Sequence, residues 1–391
     1  MPKPLSVTFL GTCAGGGPIQ GRACSSTSLN HVSASWLIDC AEGTQDQIRK
    51  TSNVHISKIR KVFFTHLHVD HCMGIIPLMT SALRFEDVRQ REPRLELYGP
   101  AGLRKLIRLN LQITQPNLIG KYAAHELLVS GEQPTTCVQE ELFKNELPGR
   151  DILCDVSGVW RDFETSEGMS VDAGPILHRI ACIGYVFREP PILKASPEFL
   201  SILDNTPRAF LPTGVQQPRQ LLRDLLANRP IQLKNGDILQ PPSVAEIGRK
   251  IVILGDTCDA SGMAGLAQDA SLLVHESTNA YIPPHIDPKS SKQTPESVQE
   301  KALAYGHSTP AMAGDFARRI NAQRLFLNHL SAKFQPPLPY QSRARNEERT
   351  AILQEIERQA SEAWGGGRAV CASDLLTVHI PHHATEQTPV S

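Results

Sequence analysis

The chain has 391 residues, 40% of them hydrophobic, enough for a sizeable core in one large domain or two. Forty basic and forty acidic residues cancel, so an anionic partner must be met by a local basic patch and not by net charge. Nine cysteines with no CxxC pair, a first strand beginning at Leu5 and no apolar run long enough to cross a membrane argue against a disulfide scaffold, a secretory leader and a membrane partner, and point to an intracellular protein of the cytoplasm or nucleus.

Residues 5–10 alternate as a strand does and run into Gly11-Thr12-Cys13-Ala14-Gly15-Gly16-Gly17-Pro18, a turn whose glycines let backbone pass close to a ligand. A strand over 34–38 ends in Asp39 and a glycine turn before a helical stretch at 45–50. Asp39 either orients a neighbouring metal loop by hydrogen bonds or caps that helix. The apolar run Lys61-Val62-Phe63-Phe64 then leads into Thr65-His66-Leu67-His68-Val69-Asp70-His71. Imidazole nitrogen and carboxylate oxygen are what zinc accepts, and alternation along a strand would set His66 and His68 on one ion while Asp70 and His71 turn toward a second.

Helical spacing over 74–84 and 102–111 brackets a strand at 95–98, so sheets covered by helices, or a sheet-on-sheet core flanked by helices, both fit. Residues 130–168 are polar and irregular and read as an insertion, with a strand pair near Ile152 and Val159. His178 follows a strand-like segment. Between Pro190 and Arg249 the chain turns proline-rich around one amphipathic helix through Leu221, Leu222, Leu225 and Leu226. Over 208–234 this arm carries Arg208, Arg219, Arg223, Arg229 and Lys234 against the single acid Asp224, a composition that suits phosphate contacts or a solvated lobe.

Two buried strands end in Gly255-Asp256-Thr257 and His275-Glu276-Ser277-Thr278, and two more segments carry Gly306-His307-Ser308-Thr309 and Asn328-His329. A helix over 347–363 and a closing strand over 369–380 complete the chain, while His382 and His383 in the polar tail take no metal role. Counted together, these ligands suffice for two metals. His66, His68 and His178 would hold the first, Asp70, His71 and His329 the second, and Asp256 would bridge them. A metal-bridged hydroxide would attack phosphorus in line, Asp70 would serve as base, and His307, paired with Glu276, would be the acid for the departing oxygen.

These motifs, in this order, resemble the metallo-β-lactamase superfamily, and the His275-Glu-Ser-Thr and Gly306-His-Ser-Thr segments with an arm after His178 resemble short-form, ElaC-type tRNase Z. The resemblance implies an α/β fold in which helices flank two sheets as a four-layered αββα sandwich, a catalytic domain of residues 1–189 and 250–391, and an arm of 190–249 acting as exosite for tRNA. It implies two zinc ions, endonucleolytic removal of the 3′ trailer from precursor tRNA leaving a 3′ hydroxyl, and a homodimer whose arm serves the neighbouring subunit. A zinc phosphodiesterase acting on a small ester is the alternative, with the arm as a lid. Where many members read Pro-Thr-Lys-x-Arg-Asn, this chain reads Pro18-Ile-Gln-Gly-Arg22-Ala, which leaves Pro18 and Arg22 to meet the substrate.

Overall fold

The computed structural model describes residues 4–84, 92–243 and 245–382; His383 lies outside them. It divides into two compact units, one of residues 1–187 with 250–391 and one of 188–249.

In the larger unit, period-two alternation builds two sheets that share one core. The first sheet runs in the order Thr377–His379, Leu5–Gly11, Ser26–His31, Ser35–Ile38, Ile59–Phe63, Leu95–Pro100, Tyr122–Leu128 and Glu146–Leu147, with Asp151–Leu153 also on Tyr122–Leu128. The second runs Trp160–Ser166, Met169–Ile176, Cys182–Arg188, Lys250–Ile253, Leu272–Glu276, Leu325–Asn328 and Val370–Cys371. Leu5, Val7, Phe9, Trp36 and Phe63 from the first sheet meet Tyr185, Phe187, Ile251, Ile253 and Phe326 from the second in one buried cluster. Each such side chain taken fully out of water contributes about 1.5–3 kcal/mol.

The intervening residues face outward onto helices. Leu37, Val62 and Leu97 pack beneath the helices Ile75–Ala82 and Leu103–Thr114, and Val252, Leu273 and Leu325 beneath Pro310–Arg319 and Arg343–Trp364. The result is the expected αββα sandwich. The longest helix is delimited chemically: Ser342 accepts from the Arg345 N–H at 3.3 Å, and Gly365 at φ +69° ends it.

Two segments differ from the sequence reading. Residues 130–168 hold strands near Ile152 and Val159, but the two do not pair with each other: Asp151–Leu153 pairs into the first sheet and Trp160–Ser166 into the second, so the segment joins the sheets. The closing strand breaks in two. Val370–Cys371 lies beside Leu325–Asn328 and Thr377–His379 beside Leu5–Gly11. Between them Asp374 turns its carboxylate onto Thr12 Oγ1 (2.7 Å), Ala23 N (2.6 Å) and Gln47 Nε2 (2.7 Å), which competes with strand pairing, and Leu375 takes φ +66°.

The smaller unit has its own core of Leu203, Leu211, Leu221, Leu225 and Leu233. Its helices are Pro197–Asp204, capped by Ser196, and the single turn Leu222–Leu226.

Candidate metal centre

Seven predicted ligands converge at the C-terminal ends of the strands. The strand Ile59–Phe63 stops just before the histidines, so His66 and His68 sit in the loop beyond it and not on alternate strand positions. The cause is Asp39, whose carboxylate takes the Thr65 N–H at 2.8 Å in place of a sheet partner. Asp39 also accepts from Thr65 Oγ1 (2.8 Å) and from His71 Nδ1 (2.7 Å), while the neighbouring helix is capped by Gly43 without a side chain. Of its two sequence readings, the structure therefore bears out orientation of the loop. Asp39 (φ +60°) and His329 (φ +54°) both occupy the left-handed region, a cost of about 1–3 kcal/mol each that concentrates strain at the site.

His66, His68, His178 and Asp256 form one group, Asp70, His71 and His329 another, with potential ligand atoms within 4.8 Å of one another in each. In the first, His68 Nδ1 lies 3.0 Å from His66 Nε2 and 3.3 Å from His178 Nε2, and Asp256 Oδ2 is 3.7 Å from His66. In the second, His71 Nε2 and His329 Nε2 are 3.1 Å apart and Asp70 Oδ2 is 3.5 Å from His329. Asp256 Oδ1 turns toward this second group, 3.4 Å from His71 Nε2. Gly255 makes the approach of this strand end feasible, since a Cβ there would sit 2.5 Å from the Thr65 Cβ.

Partners on the far side of each ring fix which nitrogen faces inward. His71 Nδ1 donates to the Asp39 carboxylate and His178 Nδ1 to the Gly306 carbonyl at 2.7 Å, groups that only accept. Thr65 Oγ1 donates to Asp39 and so accepts from His66 Nδ1 (3.1 Å); Thr278 Oγ1 donates to Glu276 Oε2 and so accepts from His329 Nδ1 (3.0 Å). Four imidazoles thus turn Nε2 inward, those of His71 and His329 facing each other at 3.1 Å; burial lowers the His71 pKa, but Asp256 and Asp39 outweigh it and raise the group well above its ordinary value. Buried Asp256 Oδ1 has no hydrogen-bond partner among the described residues. Ring nitrogens converging on one point and an orphaned carboxylate oxygen are what a shared cation satisfies, so the residues fit a metal. The hydroxyls of Thr65 and Thr278 carried no role in the sequence reading; their signal was their place beside His66 and Glu276.

Charge follows the same layout. Burial pushes His66 down to about 2, assisted by the neighbouring His71. Burial likewise lowers His68 and His178. Burial pushes the Asp256 carboxyl up, but His329 and His71 overcome it and hold the group well below the usual carboxylate range. Asp70 is held low in the same way, first by its hydrogen bond with His329. The glycine turn borders this site, as expected, with the Gly15 N–H on Asp70 Oδ2 at 2.9 Å.

Glu276 is buried and fully engaged. Oε1 accepts from Thr257 N (2.9 Å) and His307 Nδ1 (3.0 Å), Oε2 from Thr278 N (2.9 Å) and Oγ1 (2.6 Å). It therefore orients His307. Burial lowers the His307 pKa, but the bond to Glu276 and the charge of Asp256 raise it above its ordinary value.

Arg22 needs correction. Its side chain is buried and donates from Nη1 to Thr12 Oγ1 (2.6 Å) and the Ala372 carbonyl (2.7 Å), so it braces the loop internally instead of facing a substrate. Pro18 is exposed on the same loop. In the arm, Arg208, Arg219, Arg223, Arg229 and Lys234 are all exposed, but Arg219 is bound by Asp204 through two 2.8 Å contacts and Arg229 by Asp224 at 3.3 Å. Asp204 lies just outside the window in which the sequence counted charge.

A zinc phosphodiesterase ELAC protein 1 from Bos taurus is 33% identical over 391 residues, covering 96% of this chain and 99% of that protein. The chain belongs to the ribonuclease Z family of ElaC type. A ribonuclease Z from Bacillus mycoides is 33% identical over 85% of this chain and 90% of its own length. The crystal structure of human tRNase Z, short form, superposes with a TM-score of 0.59 at 26% identity, covering 96% of this chain and 99% of that one. The profile of a family described as Anti-Pycsar protein Apyc1 matches residues 5–112, which hold five strands of the first sheet and the histidine loop. The sandwich is the metallo-β-lactamase fold that the sequence led us to expect. Among the described residues no helix is long and apolar enough to cross a membrane.

Proposed function

We propose that the chain is a zinc-dependent endoribonuclease that removes the 3′ trailer from precursor tRNA and leaves a 3′ hydroxyl. The observation that carries the chemistry is Asp256, whose two oxygens face two different histidine groups. The substrate class is supported by relatives that match almost the whole chain, arm included.

His66, His68 and His178 would hold one zinc, Asp70, His71 and His329 a second, and Asp256 both. Zinc, when bound, supplies Lewis acidity, making water acidic near neutral pH and neutralising charge on phosphoryl oxygens. Asp70, kept ionised by His329 and His71, accepts the proton of the attacking water through an oxygen not engaged by Gly15. As the water oxygen bonds to phosphorus, the bond to the 3′ oxygen of the tRNA breaks. His307, held by Glu276 and raised in pKa, gives that oxygen its proton from Nε2. The arm, residues 190–249, grips the tRNA body as an exosite, working on the neighbouring subunit of a homodimer. All nine cysteines are free, which supports placement in a reducing compartment, cytoplasm or nucleus.

The test is cleavage of an in vitro precursor tRNA transcript with mapped ends, with and without residues 207–234. The intact chain should yield a tRNA with a 3′ hydroxyl, and the deletion should abolish this while sparing hydrolysis of bis(p-nitrophenyl) phosphate. Absence of trailer cleavage by the zinc-loaded intact chain would overturn the activity; the reverse pattern in the deletion would overturn the arm's role.

A further inference from the structure

A cavity of about 630 Å³ opens beside the histidine site within the same compact unit. Its walls begin where two site segments leave off. Asn279 directly follows Thr278 and donates its N–H to the Ser308 carbonyl at 3.2 Å, next to His307. Ser331 stands two residues beyond His329 and pairs with Ala14, while the next residue of that turn, Gly15, is bonded to Asp70. Both segments that wall the cavity on this side thus continue directly from residues of the site.

Five basic and two acidic residues line it. Four of the charges are already committed. Glu348 pairs with Arg345 at 3.1 Å, buried Arg349 donates to the Pro336 carbonyl at 3.0 Å, and Asp287 caps its own turn by accepting from the Lys289 N–H at 3.1 Å. Lys289, Lys301 and Lys333 are exposed and make no ion pair or side-chain hydrogen bond among the described residues. Like charges around one concavity raise a positive potential that favours an anion. A single strand can follow such a groove by phosphate contacts without sequence preference.

We infer that this groove receives the single-stranded 3′ trailer, with Lys289, Lys301 and Lys333 contacting its backbone phosphates. The inference rests on the trailer-removing activity proposed above. Past the acceptor duplex, the trailer is the multi-nucleotide single strand of a precursor tRNA, and a groove with three separate cations is suited to several phosphates and not to one terminal nucleotide.

The test compares zinc-loaded wild type with the combined variant Lys289→Gln, Lys301→Gln and Lys333→Gln on a precursor with a long trailer and on one carrying a single trailer nucleotide. Wild type should favour the long trailer in kcat/KM, and the variant should lose most of that preference through KM, on the order of tenfold, with the salt slope of binding reduced by about two. Replacement of all three by Arg should restore it. An unchanged preference overturns the proposal. Fluorescence anisotropy with a single-stranded oligoribonucleotide of trailer sequence separates this inference from the activity itself. If wild type cut no precursor tRNA, the activity would fail; weaker oligonucleotide binding by the Gln variant would still uphold the groove, and equal binding would overturn it.

Discussion

The histidine site and the arm hold their charged groups in opposite ways. At the site, every inward imidazole but His68 is braced from behind by a buried or backbone acceptor, and Asp39, Glu276 and Asp256 are all buried. In the arm, a core of five leucines carries basic side chains that are exposed, two of them neutralised by acids on the same unit. Reactive geometry needs positions fixed within fractions of an ångström, and burial with complete hydrogen bonding supplies that. Attraction for a phosphate backbone needs only charge within reach, and exposure leaves it free to adapt. A lesion at the site should therefore act on kcat or on metal content, and a lesion in the arm on KM and salt dependence.

The largest effect expected within this contrast is that of His307→Ala. If His307 donates the proton, the variant should retain its zinc, measured by atomic emission, while kcat falls by about 10²–10⁴. Loss of zinc on substitution would make His307 a ligand and blur the division between holding and proton transfer. Asp39→Ala probes the brace behind His71. It strips acceptors from His71 Nδ1 and from the Thr65 N–H and hydroxyl, all buried, so metal affinity should fall by about 10–100-fold with kcat at saturating zinc less affected. Isothermal titration with zinc reads this directly, and unchanged affinity would show that Asp39 serves the loop's fold alone.

How far each region was legible in the sequence follows from the same contrast. His66, His68, Asp70 and His71 stood out by their density within six residues, and His178, Asp256 and His329 because each lies at or just past the end of a strand-like apolar run, where a layered fold exposes chemistry. Asp39 was visible for the same reason, though its partners were not. The hydroxyls of Thr65 and Thr278 escaped notice because a threonine beside a histidine has no signature until ring orientation is known. Arg22 was misread because its loop is rich in glycine and looks exposed; its partners are Thr12, ten residues away, and the carbonyl of Ala372, 350 residues away. The split of the closing strand depended on Asp374 finding Thr12, Ala23 and Gln47, again contacts across nearly the whole chain. In the arm, a window of composition counted five cations against one acid, and the decisive acid, Asp204, lay fifteen residues before its partner Arg219.

That last miscount yields the smallest expected effect. Arg208, Arg223 and Lys234 make no ion pair among the described residues, whereas Arg219 and Arg229 already face Asp204 and Asp224. A cation in an ion pair has less to gain from a phosphate, because the acid must be displaced or carried along into the same field. Replacing Arg208, Arg223 and Lys234 together by Gln should therefore lower the slope of log K against log salt for tRNA binding by about two to three, near one per contact. Replacing Arg219 and Arg229 by Gln should lower it by less than one, since each cation is already neutralised by its acid, although the carboxylate left behind repels the RNA and weakens binding. Removing that carboxylate as well, with Asp204→Asn added to Arg219→Gln, should recover part of the affinity. Equal slopes for the free and paired sets would mean that the pairs open on binding, and that the arm's charge is governed by its composition after all.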